Sequence, residues 1–325
     1  MNAVEQLAEV LAERLAISGV PDLAAIAGRI GLRIREVEAD GFDGSLVRAL
    51  DGPKGIIAVN SAIREHTRKR FTIGHEIGHY LIPHHRALKN VCRSEDIERW
   101  HSSVATAERE ANEFSAELLL PRKLVAPRLG LKDPSLHTIS RVASEFSTSL
   151  TATIYRYLEL TDLACCMIWS EDGRAKWYVR SDAFRLPLPI PELPSAKSWA
   201  AKLFAGESAP DDLVEVPVDA WLNRWDADRV RRVLEHSIPL RSYGAVVSFL
   251  EFDLESESSL DDEDGSLLED LDPNRYDSRL RRKSMTRAAN RASHPRLLPQ
   301  GREFLQSSAL GRYGARGPSP WLEYR

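Results

Sequence analysis

The sequence predicts an α+β protein: two folded domains followed by a charged, flexible tail. Three features lead there. The chain has 325 residues, and a domain takes roughly 150. Its first half alternates helical apolar periods with short strand-like runs, whereas hairpin patterns dominate after Thr161. Beyond residue 250 an acidic block gives way to a basic one.

The elements follow in order. Val4, Leu7, Leu11 and Leu15 share one helical face over residues 3–17. Pro21-Asp22 starts a second, short helix that stops near Gly31. Three strand-like runs come next, LRIREVEA, GSLVRAL and GIIAVN, and the last two flank the turn signal Asp51-Gly52-Pro53. A long helix is expected from about Ser61 to Ile82, ended by Pro83, and another from about Ala105 to Leu120, ended by Pro121. Within 137–160, Val142, Ala143, Phe146, Leu150, Ile154 and Leu158 fit two packed helices around a turn at Ser147–Ser149, a helix-turn-helix-like segment. CCMIW, Glu171-Asp172-Gly173 and AKWYVRS form a hairpin pattern. VEVPVDAWL and SYGAVVSFLEF add strands, with a helix expected around 226–236.

This places a first domain at 1–162 and a second, small α+β domain at 163–252. Residues 251–272 hold eleven Asp or Glu and no Lys or Arg, and residues 273–325 hold twelve Lys or Arg against three acids. Blocks of like charge repel and stay solvated. A flexible acidic linker at 253–272 and a basic tail at 273–325 are therefore expected.

Composition narrows the function classes. Apolar residues make up 43% and charged residues 28%, as in ordinary globular chains. The net charge of −4 argues against a uniformly basic nucleic-acid binder, leaving the tail as the place where nucleic acid would bind. No apolar run approaches the ~20 residues of a membrane span. The start, MNAVEQLAEVLAERLA, carries Glu5, Glu9 and Glu13 where a secretory signal would be apolar. A soluble cytoplasmic protein without membrane partners is expected. Cys165 and Cys166 sit in a buried strand pattern as inert thiols, and three cysteines build no disulfide framework. No phosphate-binding loop or dinucleotide fingerprint is present.

The sharpest chemical signal is His75-Glu76-Ile77-Gly78-His79. Residues four apart lie one helical turn above each other, so both imidazoles can face one metal ion. Glu76 then sits beside the pair, able to reach water without ligating. Zinc suits two imidazoles plus a carboxylate with a fourth position open. Phe71, Ile73, Ile77, Tyr80 and Leu81 surround the motif with an apolar pattern, and buried histidines beside a glutamate need partners. The third ligand comes from the next helix. Glu108, Asn112 and Ser115 share one of its faces, while Glu110, Glu113 and Glu117 form another that reads as a solvated stripe. Glu108 is the leading candidate, with Asn112 one turn later accepting the outer N–H of a ligand histidine. Glu110 is the alternative. Cys92 lies between the two helices, where a thiolate would be able to occupy the open position.

HEIGHYL followed by EREANEFSAELLLP resembles the ImmA/IrrE-type metallopeptidases, a gluzincin-like family of bacteria and their mobile elements. LAAIAGRIGLRI and GIIAVNSAIREHTRKRFT extend the resemblance over about residues 5–160, and Ser115 stands where alanine is usual. The resemblance implies a zinc endopeptidase with Zn2+ on His75, His79 and Glu108 and Glu76 as catalytic base. It implies a protein substrate, a helix-turn-helix-type transcriptional repressor, whose cleavage relieves repression of a stress or mobile-element operon. Tyr80, His84, His85 and His101 are nearby candidates to stabilise the oxyanion. In regulatory members a sensor-like module follows the peptidase, which implies sensing or substrate docking for 163–252. The other function classes are a non-catalytic DNA- or protein-binding regulator, using 137–160 or the tail, and the enzyme of a toxin–antitoxin pair.

Overall fold

The structure, a computed structural model, describes residues 1–38, 41–49, 54–87, 91–92, 103–188 and 195–255. The linker from residue 256, the basic tail and His101 lie outside these residues, as does the side chain of Cys92.

Helix α1 (Ala3–Arg14) begins at a capping box, in which the Asn2 side chain accepts from the N–H groups of Val4 and Glu5 while the Glu5 carboxylate accepts from the Asn2 N–H. Asp22 caps α2 (Leu23–Arg29) in the same manner, accepting from Ala24 and Ala25. Strands β1 (Leu32–Val37), β2 (Gly44–Arg48), β3 (Gly55–Asn60) and β4 (Val91–Cys92) form a sheet of order β1-β3-β2-β4. β1 runs parallel to β3, and β2 runs antiparallel to both its neighbours. Helices α3 (His66–Leu81) and α4 (Ser103–Leu119) pack with this sheet. Leu46, Ile57 and Val59 from the strands meet Phe71, Ile77, Phe114 and Leu118 from the helices in one core. α3 starts later than the apolar pattern suggests. The Asn60 side chain accepts from the Ala62 N–H, a local turn that competes with helix.

The second sheet is antiparallel, of order β6-β5-β9-β8-β7. Its strands are β5 (Cys165–Glu171), β6 (Arg174–Arg180), β7 (Val214–Val216), β8 (Val230–Leu240) and β9 (Ala245–Leu254). Short helix α5 (Arg122–Val125) and helices α6 (Leu136–Phe146) and α7 (Leu150–Leu160) cover one face. Helix α8 (Trp199–Phe204) and residues 218–222 cover the other, with α9 (Arg224–Ala227) just beyond. β5 is buried on both sides, Cys165, Met167 and Trp169 facing α6 and α7 while Cys166 and Ile168 face α8. That explains its unbroken apolar run. Burial raises both cysteine thiols far above their usual range, so they are inert. The core of Leu136, Ile139, Phe146, Ile154, Trp169 and Phe249 runs across the 162/163 boundary expected from the sequence.

Two expectations are corrected. The helix expected around 226–236 is strand β8, apart from the four-residue α9. Val230 and Val233 are spaced as on a helix, but a bulge between Val230 and Arg232 inserts one residue, so both turn to the same side of the sheet. The solvated stripe on α4 is also absent. Glu117 is 2% exposed and meets the equally buried guanidinium of Arg156 at 3.2 Å. Arg122 bridges Glu117, Glu5 and Glu159. The third edge of α4 thus packs against α1 and α7 through an ion network, which a count of charges cannot tell from a solvent face.

Arg156 is one of two basic groups available to a DNA-reading segment, and it is consumed here. Nearly all of α7 is buried, including Thr151, Thr153, Arg156 and Tyr157. No face of it is open to a DNA groove.

Removing one partner of a buried ion pair leaves the other charge uncompensated. Arg156→Ala is expected to lower stability by about 3 kcal/mol, read as a shift in the urea midpoint. An unchanged midpoint would mean that the network contributes no net stability.

Candidate metal centre

The site begins with how closely α3 and α4 approach. A Cβ on Gly74 would lie 2.5 Å from Ser115 Oγ, and one on Gly78 would lie 3.1 Å from Phe114. Glycine at these positions lets the two helices touch backbone to side chain. The Ser115 hydroxyl donates to the Phe71 carbonyl at 2.9 Å across the contact. The contact puts the shared face of Glu108, Asn112 and Ser115 against the histidine face of α3.

Three donor atoms converge as a result. His75 Nε2 and His79 Nε2 lie 3.0 Å apart, and the Glu108 carboxylate oxygens lie 3.1 and 3.2 Å from them. Each of the three residues is at most 8% exposed. Donors bound at ~2.0–2.2 Å in a tetrahedron sit about 3.3 Å apart, so the spacing fits three corners around one ion.

The outer hydrogen bonds fix the tautomers. His75 Nδ1 donates to Asn112 Oδ1 at 2.8 Å, which leaves a lone pair on Nε2. His79 Nδ1 lies 3.0 Å from His85 Nδ1, and His85 Nε2 lies 2.9 Å from a Glu110 oxygen. The carboxylate requires the proton on His85 Nε2, so His85 Nδ1 accepts and His79 Nδ1 donates. These assignments come from the network, since hydrogens are placed by their partners. Both Nε2 atoms then present lone pairs to each other and to a carboxylate. Only a cation makes such a cluster stable, and the donor set fits zinc.

The electrostatics agree. Burial alone would raise the Glu108 carboxyl, but its contacts with His75 and His79 hold it well below the usual carboxylate range. Burial, reinforced by His75 and His85, takes His79 down to about 4. Burial works against a charged His75 too, yet Glu108 across from it and the neighbouring Glu76 outweigh that and raise it.

Glu76 is fully buried on the same helix, and a Cβ at Gly44 of β2 would lie 2.9 Å from its Oε1 and would strike Thr72. Glycine at the first residue of β2 thus leaves room for the carboxylate. Arg48, at the other end of β2, caps the C-terminus of α3, donating to the carbonyls of His79 and Tyr80. Strand β2 therefore contacts both ends of the motif.

The His79–His85–Glu110 relay has no counterpart in the motif spacing. His85 was expected as a possible oxyanion donor, but both its ring nitrogens are engaged, by His79 and Glu110. Glu110, the alternative third ligand, points to His84 and His85 rather than to the two motif histidines. His84 is exposed. Tyr80 is half-buried beneath the Arg48 guanidinium, 5.0 Å from its ring centre. Two histidines directly after Pro83 were the only available sign, and a single turn of 3-10 helix (Pro83–Ala87) folds them back onto α4.

Comparison with known proteins bears on this geometry. Residues 27–158 match the IrrE N-terminal-like domain. Over those residues the chain is thus similar to the ImmA/IrrE-type metallopeptidases. The radiation response metalloprotease IrrE of Deinococcus radiodurans is 27% identical over 147 residues, which span 45% of this chain and 42% of that protein. The chain thus matches less than half the length of this relative. A solved structure, a Mycobacterium tuberculosis transcriptional regulator, aligns over 78% of this chain and 76% of its own with 12% identity and a TM-score of 0.47. Proteins of that kind hold a metal, and the i, i+4 histidine pair of α3, His75 and His79, is the one that meets Glu108.

The glycine contact is open to direct test. Gly74→Ala should cost about 1–2 kcal/mol, the overpacking penalty less the helix gain. Ser115→Ala in the same chain removes the clashing hydroxyl and should restore most of it. Urea denaturation of the four variants in the cycle measures this, and a Gly74→Ala chain as stable as the wild type would contradict the packing account.

Proposed function

We propose that this chain is a zinc-dependent endopeptidase with His75, His79 and Glu108 as metal ligands and Glu76 as general base. The observation that supports this most is the convergence of three lone-pair donors beside a fully buried glutamate. Bound zinc supplies Lewis acidity, which acidifies water and polarises the scissile carbonyl.

The protein's own groups do the rest. Glu76 takes the proton of the attacking water on a carboxylate oxygen and passes it to the leaving amine. Gly44, lacking a Cβ, leaves the space beside Thr72 that this carboxylate occupies. Asn112 and the His85–Glu110 pair hold the two ligand imidazoles in the metal-binding tautomer and orientation. Burial of the cluster keeps bulk water from competing with these contacts.

The proposed substrate is a repressor of the helix-turn-helix type in the cytoplasm, cleaved to relieve repression. The family resemblance supports it, and the relative's printed role in radiation response supports a stress operon. No helix among the described residues is long and apolar enough to cross a membrane. The reading of 137–160 as a DNA reader loses support, because α7 is buried and Arg156 is paired.

Glu76→Gln is expected to keep the metal and to lower cleavage by about 10²–10⁴-fold, the contribution of one acid–base group. Sequencing new N-termini across all proteins of cells expressing either version gives the readout and identifies the substrate at the same time. A repressor fragment present with the wild type and absent with Glu76→Gln supports the reading. Identical fragments with both would remove Glu76 from the chemistry.

A further inference from the structure

A buried imidazole without a hydrogen bond is costly. His236, in the middle of β8, is such a group. It is 2% exposed, and neither ring nitrogen has a hydrogen-bond partner among the described residues. The proposed peptidase chemistry makes no use of it.

Two other groups converge on it. The Asp211 carboxylate, in the segment before β7, has its Oδ1 3.9 Å from His236 Nε2. His137, in the first turn of α6, brings its ring centre within 5.6 Å of that of His236. His137 Nε2 is 3.6 Å from the same Oδ1 and donates to the Asp211 carbonyl at 2.6 Å. One donor atom from each of the three lies within 4.8 Å of the others.

We propose that His137, Asp211 and His236 form a second site for a divalent transition metal of the zinc class, separate from the His75–His79–Glu108 centre. Two imidazoles and a carboxylate are a set that zinc accepts. Donors around zinc sit about 3.3 Å apart, closer than the 3.6 and 3.9 Å that separate Asp211 Oδ1 from the two imidazoles here. The closure moves exposed groups, since the side chains of His137 and Asp211 are 58% and 87% exposed. Ligation through His137 Nε2 requires the Nδ1–H tautomer: the Nε2 proton now given to the Asp211 carbonyl leaves to solvent and Nδ1 takes one up, with no net change for a neutral ring. Burial, reinforced by His137, holds His236 below the usual histidine value, so it stays neutral at pH 7. Asp212 adds a negative charge nearby. An ion here would staple the first turn of α6, and the segment before β7, to the face of β8.

The test is zinc stoichiometry of the full-length chain by equilibrium dialysis and elemental mass spectrometry. Two equivalents are expected for the wild type. His137→Ala and Asp211→Asn change exposed side chains, so the fold should persist, and each should retain one equivalent. His79→Ala should also retain one, with zinc raising its Tm, and His79→Ala/His137→Ala should retain none and show no such rise. The proposal fails if His137→Ala and Asp211→Asn bind as much zinc as the wild type. It also fails if His84→Ala, rather than His137→Ala, removes the second equivalent, since His84, His85 and Glu110 form the other cluster able to compete. Loss of all zinc in His79→Ala alone would leave the first centre standing and overturn the second. Because each single variant touches one cluster, failure here is distinct from failure of the peptidase reading.

Discussion

The close contact between α3 and α4 is the constraint on which the site depends. An H-E-x-x-H motif on a lone helix presents two imidazoles and nothing to complete them. Gly74 and Gly78 allow α4 to come near enough for Glu108 to reach both nitrogens. The sheet contributes from the other side, since Gly44 makes room for Glu76 and Arg48 caps the helix end. The small residues are as much part of the site as the charged ones, because they set the distances at which the charges act.

Burial raises the stakes of each polar contact. Each proposed ligand histidine therefore carries a partner on its far nitrogen, Asn112 for His75 and the His85–Glu110 pair for His79. Such partners fix the tautomer and orient the ring. The same logic operates at the opposite edge of α4, where Glu117 survives burial because Arg156 and Arg122 meet it. One helix thus carries an edge facing the two motif histidines, an edge facing His84 and His85 and an ion-network edge, and holds the first sheet, α1 and α7 together.

Much of this was legible in the residues. The histidine spacing, the phase that pairs Glu108 with Asn112, and the proline stops around both helices rest on local periodicity. What was not legible rests on tertiary contact. Glu110 and Glu117 look solvent-facing by count, and only the neighbours of α4 reveal otherwise. His85 reaches His79 through a single turn that no period describes. β8 looked helical because a bulge shifts its alternation by one residue. The convergence of His137, Asp211 and His236 from three separate segments leaves no trace in any local pattern.

The most direct test of the central claim is anomalous diffraction at the zinc edge from crystals of the full chain. The account predicts a peak about 2.0–2.2 Å from His75 Nε2, His79 Nε2 and a Glu108 oxygen. A zinc-loaded crystal without density there, or with the ion held by His84, His85 and Glu110 instead, would contradict it.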